Sequence, residues 1–555
     1  MQSKYDLFET GQALGFPVNF KLVLQHLQQD MRDDWYADTL GYIDLFKDPT
    51  HCMDVILECL NIGGGLYTGD KRSVRSIPKK NFAERYSLET DFFDRFVYQA
   101  ICTFLVPHFD SCLSPRVLSY RYNRREPETK YLFCNKINKW LDFEGFTYTF
   151  VRRKKYLVAT DISNFFENIS RDQLIEALLS ILHKSTTDGY IKGQVRSAIQ
   201  SLQNLLSNWT YSGDFGLPQN RDASSFLSNV LLSHVDHGMQ DLGYNYYRYV
   251  DDIRIISDNE LEARKALQKL ITLLRDIGMN INATKTNILA HDADHNQIVE
   301  FFPSRNSLVS SVENMWRSKS RRVFIRSIEY IILIIENSLE HGETQSRSFR
   351  FAVNRLSQII AANMFDVKSS TASQLIDYAI SSLKTDAVST DQLCSLIQVL
   401  SPDKSSLDKI SDILVDRSTA IHDWQNYWLW ILLASHKFQR DDLDELAKNL
   451  VISTKYCGEI SGVLIWLHAT GSKEIIEQLL DAYDDSWPYQ TQRYFLMTAS
   501  ILSPTHKRKL HGKVPIKLLR TIEKSIKYFR SDGVAISEPE RPTLSDLYAD
   551  IKDYS

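Results

Sequence analysis

Two adjacent aspartates, Asp251 and Asp252, have the type and spacing that say most about chemistry. They lie between two strand-like sequences, YRYV and IRII, which predict a hairpin with an acidic turn. In such a turn both carboxylates can face one hard cation, and Mg²⁺ prefers a few carboxylates combined with water and substrate phosphates. Taken alone, the pair also fits an ordinary solvent-exposed turn.

A third carboxylate, Asp161, ends the apolar part of the sequence VATDISNFF at 158–166. A carboxylate among apolar residues is costly to bury unless it is paired or binds a metal. The alternative is that Asp161 caps a following helix. Together with Asp251 and Asp252, it supplies the carboxylates that a two-metal phosphoryl-transfer site needs.

The elements that must position these carboxylates follow from residue patterns. The sequence KKYLVATDI (154–162) predicts a strand, and NYYRYVDDIRIIS (245–257) predicts two strands around a tight turn. Helical patterns at 173–182 and 224–232 lie between them. The sequence therefore predicts an α+β domain over residues 71–300.

The sequence changes character after about residue 305, where glycine nearly disappears and amphipathic helical windows follow one another. Each pair of windows fills roughly 30–40 residues, the length of an α-solenoid repeat. No repeated consensus is visible, so HEAT-like stacking is the expectation and an irregular helical bundle is the alternative. The windows are 407–414, 424–433, 443–451, 459–468, 474–483 and 490–499.

These patterns predict four segments along the chain. They are an N-terminal extension (1–70), the α+β domain (71–300), an all-α helical-repeat domain (305–535) and a polar tail (536–555). Three consecutive glycines at 63–65 favour the first boundary, because glycine often marks a break between elements.

Composition excludes several classes of protein. The chain has 555 residues, 43% of them hydrophobic, and a net charge of −4, which excludes a disordered chain and a wholly basic coat protein. We find no apolar run long enough for a membrane span and no N-terminal secretory signal. The seven cysteines contain no CxxC pair, so we expect neither disulfides nor structural zinc, and we expect a reducing cytoplasm.

The order of motifs resembles that of reverse transcriptases. Asp161 followed by Phe165-Phe166, the GLPQ sequence at 216–219, YVDD at 249–252 and GMNINATKT at 278–286 are similar to motifs A, B, C and D of that family. Upstream, 73–101 resembles the fingers and 117–125 the segment that follows them. The resemblance covers about two fifths of the chain and implies an α+β fingers and palm fold.

With its helical C-terminal part in place of a thumb, the chain resembles the abortive-infection polymerases of bacterial phage defence, the AbiK-like and prophage-encoded group. This resemblance implies a cytoplasmic bacterial DNA nucleotidyltransferase that uses dNTPs and two Mg²⁺ ions, with Mn²⁺ as a substitute. It also implies synthesis without a template, a single-stranded DNA product attached to a priming tyrosine, and homo-oligomers. No membrane partner is implied.

Motif positions imply roles for individual residues. Asp161 and Asp251 would bind both metals, Asp252 would complete the site, and the Ile162 carbonyl would add a neutral ligand. Phe166 stands where the family carries an aromatic steric gate that excludes the ribose 2′-OH, and core packing is its alternative role.

Other positions imply nucleotide contacts. Gln219 matches the glutamine that touches the incoming nucleotide, but Asn220 replaces the glycine that usually follows. Because glycine lets a backbone approach a nucleotide closely, Asn220 puts ordinary template handling in doubt. Lys285 is expected near the leaving pyrophosphate, and solvent exposure is its alternative role. Candidates for binding the triphosphate are Arg75, Lys79 and Arg85, for which a solvated basic loop is the alternative.

Two further sets of candidates are less specific. Basic clusters could follow a polynucleotide backbone, although charge runs are usually solvated surfaces. They include Arg152 and Arg153, Arg321 and Arg322, and Lys507 and Arg508. The candidates for a priming tyrosine, by position and expected exposure, are Tyr5, Tyr36 and Tyr42.

Three functions therefore stay open. The first is template-independent DNA synthesis, the second is RNA-templated reverse transcription of a non-coding RNA, and the third is a non-catalytic nucleic-acid-binding scaffold. The first two share one metal site and differ in product sequence. Retention of all three aspartates disfavours the scaffold, because a site without a metal gains nothing from like charges held together.

Overall fold

The computed structural model describes residues 14–39, 42–46, 48–61, 67, 69, 72–79, 83–127, 129–184, 188–209, 214–318, 320–418, 420–452, 457–503 and 514. The chain divides into two compact units. The first comprises residues 1–37, 48–74 and 86–302, and the second comprises 38–47, 75–85 and 303–555.

The first unit is built on a four-stranded antiparallel sheet with the strand order β4-β5-β3-β6. The strands are β3 (Tyr156–Asp161), β4 (Asn245–Tyr249), β5 (Asp252–Ser257) and β6 (Asn287–Leu289). The predicted strand at 154–162 and the predicted pair of strands at 245–257 are confirmed. The apolar and β-branched residues of these sequences fit a pleated, buried surface.

Both faces of the central strand are covered. Leu157 to Asp161 of β3 are all buried, although successive side chains of a strand point to opposite faces. Helices α5 (Lys136–Arg152) and α9 (Glu260–Asp276) both pack against β3 and β5. A core cluster of Phe150, Leu157, Ile256, Leu289 and Phe302 anchors the sheet. The strand ends that carry the aspartates are therefore held on a rigid support.

The other helices of the first unit surround this sheet. Helix α8 packs against α4, α6 and α9, and residues 224–232, where the sequence predicts a helix, are helical and buried. The bounds are α1 (Phe20–Asp30), α3 (Pro49–Asn61), α4 (Phe92–Phe109), α6 (Arg171–Lys184), α7 (Gly189–Trp209), α8 (Asp222–Asp241) and α10 (His295–Phe301).

A separate two-stranded sheet consists of β1 (Ser73–Pro78) and β2 (Glu84–Glu89). Its turn is closed by a hydrogen bond from the Lys79 N–H to the Ala83 carbonyl at 2.7 Å. Residues 75–85 of this hairpin group with the second unit.

The second unit is a stack of helices. Those of its C-terminal part form two layers, in which α12, α14, α16 and α18 contact one another in succession, as do α13, α15, α17, α19 and α21. This arrangement is that of a helical repeat, as the sequence predicted. The bounds are α2 (Ile43–Phe46), α11 (Ser307–Arg317), α12 (Arg321–Glu340), α13 (Arg347–Ala361), α14 (Ser370–Thr385), α15 (Thr390–Val399), α16 (Lys404–Val415), α17 (Asp423–Ser435), α18 (Asp441–Ile452), α19 (Ile460–Thr470), α20 (Lys473–Gln478) and α21 (Tyr489–Ala499).

The predicted helical window at 474–483 differs in detail, because α20 ends at Gln478 and a 3₁₀ turn covers Leu479–Ala482.

Tight contact between α17 and α19 depends on Gly462, where an added Cβ would lie 2.9 Å from the Tyr427 carbonyl oxygen.

A buried polar cluster ties residues 38–47 into the second unit. The Asp38 carboxylate, 1% exposed, accepts hydrogen bonds from the Arg493 guanidinium and from the Tyr494 hydroxyl at 2.6 Å. Its other oxygen accepts the Tyr42 N–H at 2.7 Å. The helical unit is therefore assembled from three separate segments of the chain, which the sequence did not predict.

Among the described residues, no helix combines the length and the apolar composition needed to cross a membrane. The glycines at 63–65, the tail from 536 and the basic residues Lys507 and Arg508 lie outside the described residues.

Candidate active site

The three aspartates come together at one end of the sheet. In the β3–β5 register, Asp161 lies directly opposite Asp252. Asp251 is the second residue of the two-residue turn that joins β4 to β5, and Asp252 is the first residue of β5. The Ile162 N–H donates to the Asp251 carbonyl oxygen at 3.3 Å, which extends the pairing past the end of β3. The fold thus brings the predicted carboxylates to adjacent positions.

Crowding of like charges is visible in the electrostatics of Asp251. Burial raises the pKa of Asp251 well above its usual range, and the negative charges of Asp252 and Asp161 raise it further. A group of carboxylates arranged in this way favours the binding of a cation between them.

Asp161 is held asymmetrically. Its Oδ1 atom is buried and has no hydrogen-bond partner among the described residues. Its Oδ2 atom accepts a hydrogen bond from the Lys285 ammonium. Burial by itself lowers the pKa of Lys285, but the hydrogen bond and the charge of Asp161 outweigh it, so the net shift is upward. Lys285 therefore stands as a cation beside the carboxylates.

These residues fit a magnesium site. The orphaned Oδ1 of Asp161 and the carboxylates of Asp251 and Asp252 are hard oxygen donors. Within the described ranges, no group of three or more His, Cys, Asp or Glu side chains is placed so that it could hold a metal ion, so the protein by itself forms no metal cage. Mg²⁺ does not need such a cage, because it usually takes one or two carboxylates together with water and substrate phosphates.

The turn that carries Asp251 is strained. Val250 has a φ of +56°, a left-handed conformation that is rare for a β-branched residue. Two hydrogen bonds hold it there. The Val250 N–H donates to the Ser119 hydroxyl at 2.9 Å, and its carbonyl accepts from the Arg248 guanidinium at 2.8 Å. Backbone strain of this kind persists where the surroundings enforce it.

Arg248 belongs to a fully buried network behind the turn. Its guanidinium pairs with Asp236 at 2.6 Å, and both side chains are 0% exposed. It also donates to Asn229 Oδ1 at 2.7 Å, and the Tyr246 hydroxyl donates to Asp236 at 2.9 Å. The network joins α8 to β4 and to the acidic turn. Sequence analysis missed this role, although an arginine within the apolar strand sequence YRYV was a signal for a buried ion pair.

The two phenylalanines that follow Asp161 differ in burial. Phe165 is 4% exposed and belongs to the core, whereas Phe166 is half-buried. The Phe166 carbonyl accepts the Leu217 N–H at 3.0 Å, so the GLPQ loop runs beside this residue. The structure therefore places Phe166 next to the loop that carries Gln219, and its role as a steric gate stays a prediction.

Gln219 is fixed by a neighbour that the sequence analysis did not single out. Its Nε2 donates to Glu167 Oε1 at 3.2 Å, and the same oxygen accepts the Tyr86 N–H at 3.3 Å. Asn220 adopts a φ of +54°, the left-handed conformation that favours glycine. The backbone therefore has the shape that glycine would give, with a side chain added.

The three candidates for binding the triphosphate belong to the second unit. Arg75 is 4% exposed, and its guanidinium donates to Gln490 Oε1 at 3.3 Å. Lys79 and Arg85 are half-buried in the β1–β2 hairpin. Their predicted contacts with a triphosphate remain predictions.

The basic candidates lie at helix ends. Arg152 and Arg153 are exposed at the C-terminal end of α5, and Arg322 is exposed in the first turn of α12, which Arg321 begins. Contact with a polynucleotide stays a prediction for all of them.

The tyrosine candidates are less accessible than their positions suggested. Tyr36 is 5% exposed and Tyr42 is 9% exposed, so the expectation of exposure is wrong for both. Tertiary packing covers them, and the Tyr42 ring lies 4.9 Å from the Arg493 guanidinium. Tyr5 lies outside the described residues. Priming by any of them remains a prediction.

Two solved structures of telomerases align with the chain at low scores. The telomerase of Candida albicans with the TWJ fragment of telomeric RNA gives a TM-score of 0.29 at 10% identity, over 68% of this chain and 64% of that chain. The apo telomerase of Candida tropicalis gives 0.30 at 9% identity, over 82% and 69%. Scores at this level support no conclusion about fold or function.

Sequence comparison is more specific. The Retron Se72 reverse transcriptase of Salmonella heidelberg is 24% identical over 252 residues, which are 42% of this chain and 59% of that protein. The chain thus spans less than two thirds of that relative. Residues 100–345 match the family described as reverse transcriptase (RNA-dependent DNA polymerase). All three aspartates, Gln219 and Lys285 lie within this match, so the candidate site lies in the segment that is similar to reverse transcriptases.

Proposed function

We propose that this chain is a DNA nucleotidyltransferase that builds single-stranded DNA from dNTPs without a template, primed by one of its own tyrosines. The observation that carries the proposal is the register of β3 and β5, which sets Asp161 opposite Asp252 and beside Asp251. The reverse transcriptase match supports a polymerase, and it includes the whole of this carboxylate group.

In the proposed reaction, a hydroxyl oxygen of the primer attacks the α-phosphorus of a dNTP. The hydroxyl gives its proton to a base or to water, a new P–O bond forms, the bond from the α-phosphorus to the bridging oxygen breaks, and pyrophosphate leaves. Asp161, Asp251 and Asp252 would hold divalent metal, which would supply positive charge at the entering and leaving oxygens. Phe166 selects the deoxyribose, and Gln219, oriented by Glu167, contacts the incoming nucleotide.

Synthesis without a template is supported by Asn220. Its left-handed backbone keeps the shape of a glycine loop, but the residue after Gln219 carries an amide side chain that glycine lacks. A template strand that approached this backbone closely would meet that side chain.

A tyrosine primer makes a chemical demand, because its hydroxyl ionises near pH 10 in water. Metal or a nearby base must therefore promote its deprotonation at neutral pH. The product would be DNA joined to protein through a phosphotyrosyl bond.

The biological role that we propose is phage defence in the bacterial cytoplasm, with the enzyme acting as a homo-oligomer. A plaque assay on cells that express the wild-type chain or Asp251→Asn tests the role in phage defence. Light scattering after gel filtration tests the homo-oligomer. Equal plaquing on both strains, or a monomer by light scattering, would remove the corresponding part of the proposal.

RNA-templated synthesis is the second candidate, because the matched family is described as RNA-dependent DNA polymerase. One experiment separates the two. Purified protein is incubated with labelled dNTPs and Mg²⁺, with and without RNA, and resolved on a denaturing gel.

We expect label on the protein band without RNA, and we expect DNase to remove the added length. Products that appear only with RNA, match its complement and migrate free of protein would establish the templated function instead. Asp258→Asn is a matched control, since Asp258 lies beyond the end of β5, is 75% exposed and pairs with Lys155.

A further inference from the structure

A cavity of about 370 Å³ lies within the first unit, and none of the three aspartates lines it. Its walls come from α1, α4, the segment 130–135 and the first residues of α5 and α8. Its volume falls in the range of small-molecule sites, which begins at roughly 300 Å³.

The cavity is positively charged. Three cations line it, Arg32, Lys130 and Lys136, against one carboxylate, Asp222. Lys136 already pairs with Asp222 at 2.8 Å. Helix α5 begins at Lys136, so the positive end of its dipole adds to the same field. An anionic group is therefore the ligand that this charge pattern favours.

The cavity also offers a planar surface and neutral hydrogen-bonding groups. The Tyr131 ring is 47% exposed, and the Lys130 ammonium lies 5.0 Å from its centroid. Gln29 and Gln99 also line the wall, and glutamine amides can hydrogen-bond the edge of a heterocycle.

His26 contributes shape and no charge. Its ring nitrogens contact the Thr103 hydroxyl at 2.9 Å and the Thr129 carbonyl at 3.0 Å, and burial lowers its pKa to about 4. A phosphate and a planar base together, the two parts of a nucleotide, match these walls.

Lys136 connects the cavity to the catalytic elements. Asp222, its partner, is the first residue of α8 and follows Gln219 by three positions. The Lys136 carbonyl accepts the Tyr249 hydroxyl at 3.0 Å, and Tyr249 begins the YVDD turn. A ligand that drew the Lys136 ammonium away from Asp222 would therefore act on both the GLPQ loop and the acidic turn.

We propose that this cavity is a second nucleotide-binding site, separate from the carboxylate site and coupled to it through Lys136. Arg32, Lys130 and Lys136 hold the phosphate group, and the base stacks on Tyr131. The nucleotide is either a free nucleoside triphosphate or one unit of a DNA strand.

The test is a binding titration of the full-length protein in EDTA, with fluorescent mant-dATP in one arm and fluorescein-labelled oligo(dT) in the other. Metal-free conditions remove turnover, so the result does not depend on whether the polymerase proposal holds. Saturable binding in the first arm alone identifies a free nucleotide, and binding in the second arm alone identifies a strand. Both outcomes support the site only if cavity variants weaken the binding.

Tyr131→Ala and Lys130→Ala are the cavity variants, since both side chains are exposed and their loss should leave the fold intact. We expect Tyr131→Ala to weaken binding about tenfold, as loss of one base–aromatic stack does. Lys139→Ala is the matched control, because Lys139 lies on α5 but does not line the cavity.

Photo-crosslinking with azido-dATP, followed by peptide mapping, gives a second readout, and the label should fall within residues 130–137. Label elsewhere, equal affinity in Tyr131→Ala and wild type, or no binding of either probe would overturn the proposal.

Discussion

Replacement of Arg248 by methionine tests the buried network behind the acidic turn. The change removes a guanidinium that is 0% exposed while keeping a side chain of similar length. It leaves the Asp236 carboxylate buried without its ionic partner, and it removes the donors to Asn229 Oδ1 and the Val250 carbonyl. Tyr246 would be the remaining side-chain donor that the structure shows on Asp236.

We expect a loss of about 3–5 kcal/mol in the free energy of unfolding of the first unit, the usual effect of breaking a buried ion pair on one side. The assay is urea denaturation monitored by a probe confined to the first unit. Such a probe is needed because a two-unit chain need not unfold in one step. Arg264→Met is the control, since Arg264 is 69% exposed in its pair with Glu260 and should cost under about 1 kcal/mol.

A double variant separates charge from shape. Arg248→Met combined with Asp236→Leu removes both charges, so much of the lost stability should return. Nucleotide incorporation should be low in Arg248→Met and equally low in the double variant, because the Val250 carbonyl lacks its donor in both. A loss below about 1 kcal/mol in Arg248→Met, or a double variant less stable than the single one, would refute the reasoning.

Three further substitutions test individual roles. Phe166→Ala should raise the ratio of rNTP to dNTP incorporation in a competition assay, and an unchanged ratio would count against Phe166 as the gate. Phe165→Ala, which empties a core position, should instead lower the free energy of unfolding by about 3–5 kcal/mol. Asn220→Gly should increase RNA-templated incorporation, measured with a defined RNA, and no increase would count against the side chain as the obstacle. Lys285→Ala should tighten Mn²⁺ binding in calorimetry, because its ammonium no longer competes for Asp161; unchanged affinity would show that the contact is not competitive.

Local patterns in the sequence were sufficient to predict the strands that carry the aspartates. The β-branched residues before Asp161 and the alternating residues around Asp251 identified β3, β4 and β5 with small errors at their ends. The pairing of β4 with β5 could be predicted because a short turn joins them. The approach of Asp161 depends on the pairing of β3 with the distant β5, and it was expected from the order of the reverse transcriptase-like motifs.

Features that depend on distant contacts could not be predicted. The Asp38–Arg493 pair joins residues 455 positions apart, and no local pattern indicates that residues 38–47 belong to the helical unit. The burial of Tyr42, whose ring lies beside the Arg493 guanidinium, has the same origin. The position of Glu167 beside Gln219 depends on the packing of two loops, which neither loop sequence specifies alone.

The account depends most on the claim that Asp161, Asp251 and Asp252 form a metal-dependent nucleotidyl-transfer site. The direct measurement is labelled dNTP incorporation by wild type, Asp251→Asn and Asp252→Asn at saturating Mg²⁺, with Asp258→Asn as the exposed control. We expect incorporation by the two site variants to fall to background, and we expect metal-free Asp251→Asn to be at least as stable as wild type because one of the crowded charges is gone. The account would be contradicted if folded Asp251→Asn protein incorporated dNTPs within about tenfold of wild type. A tenfold change corresponds to only ~1.4 kcal/mol in activation free energy.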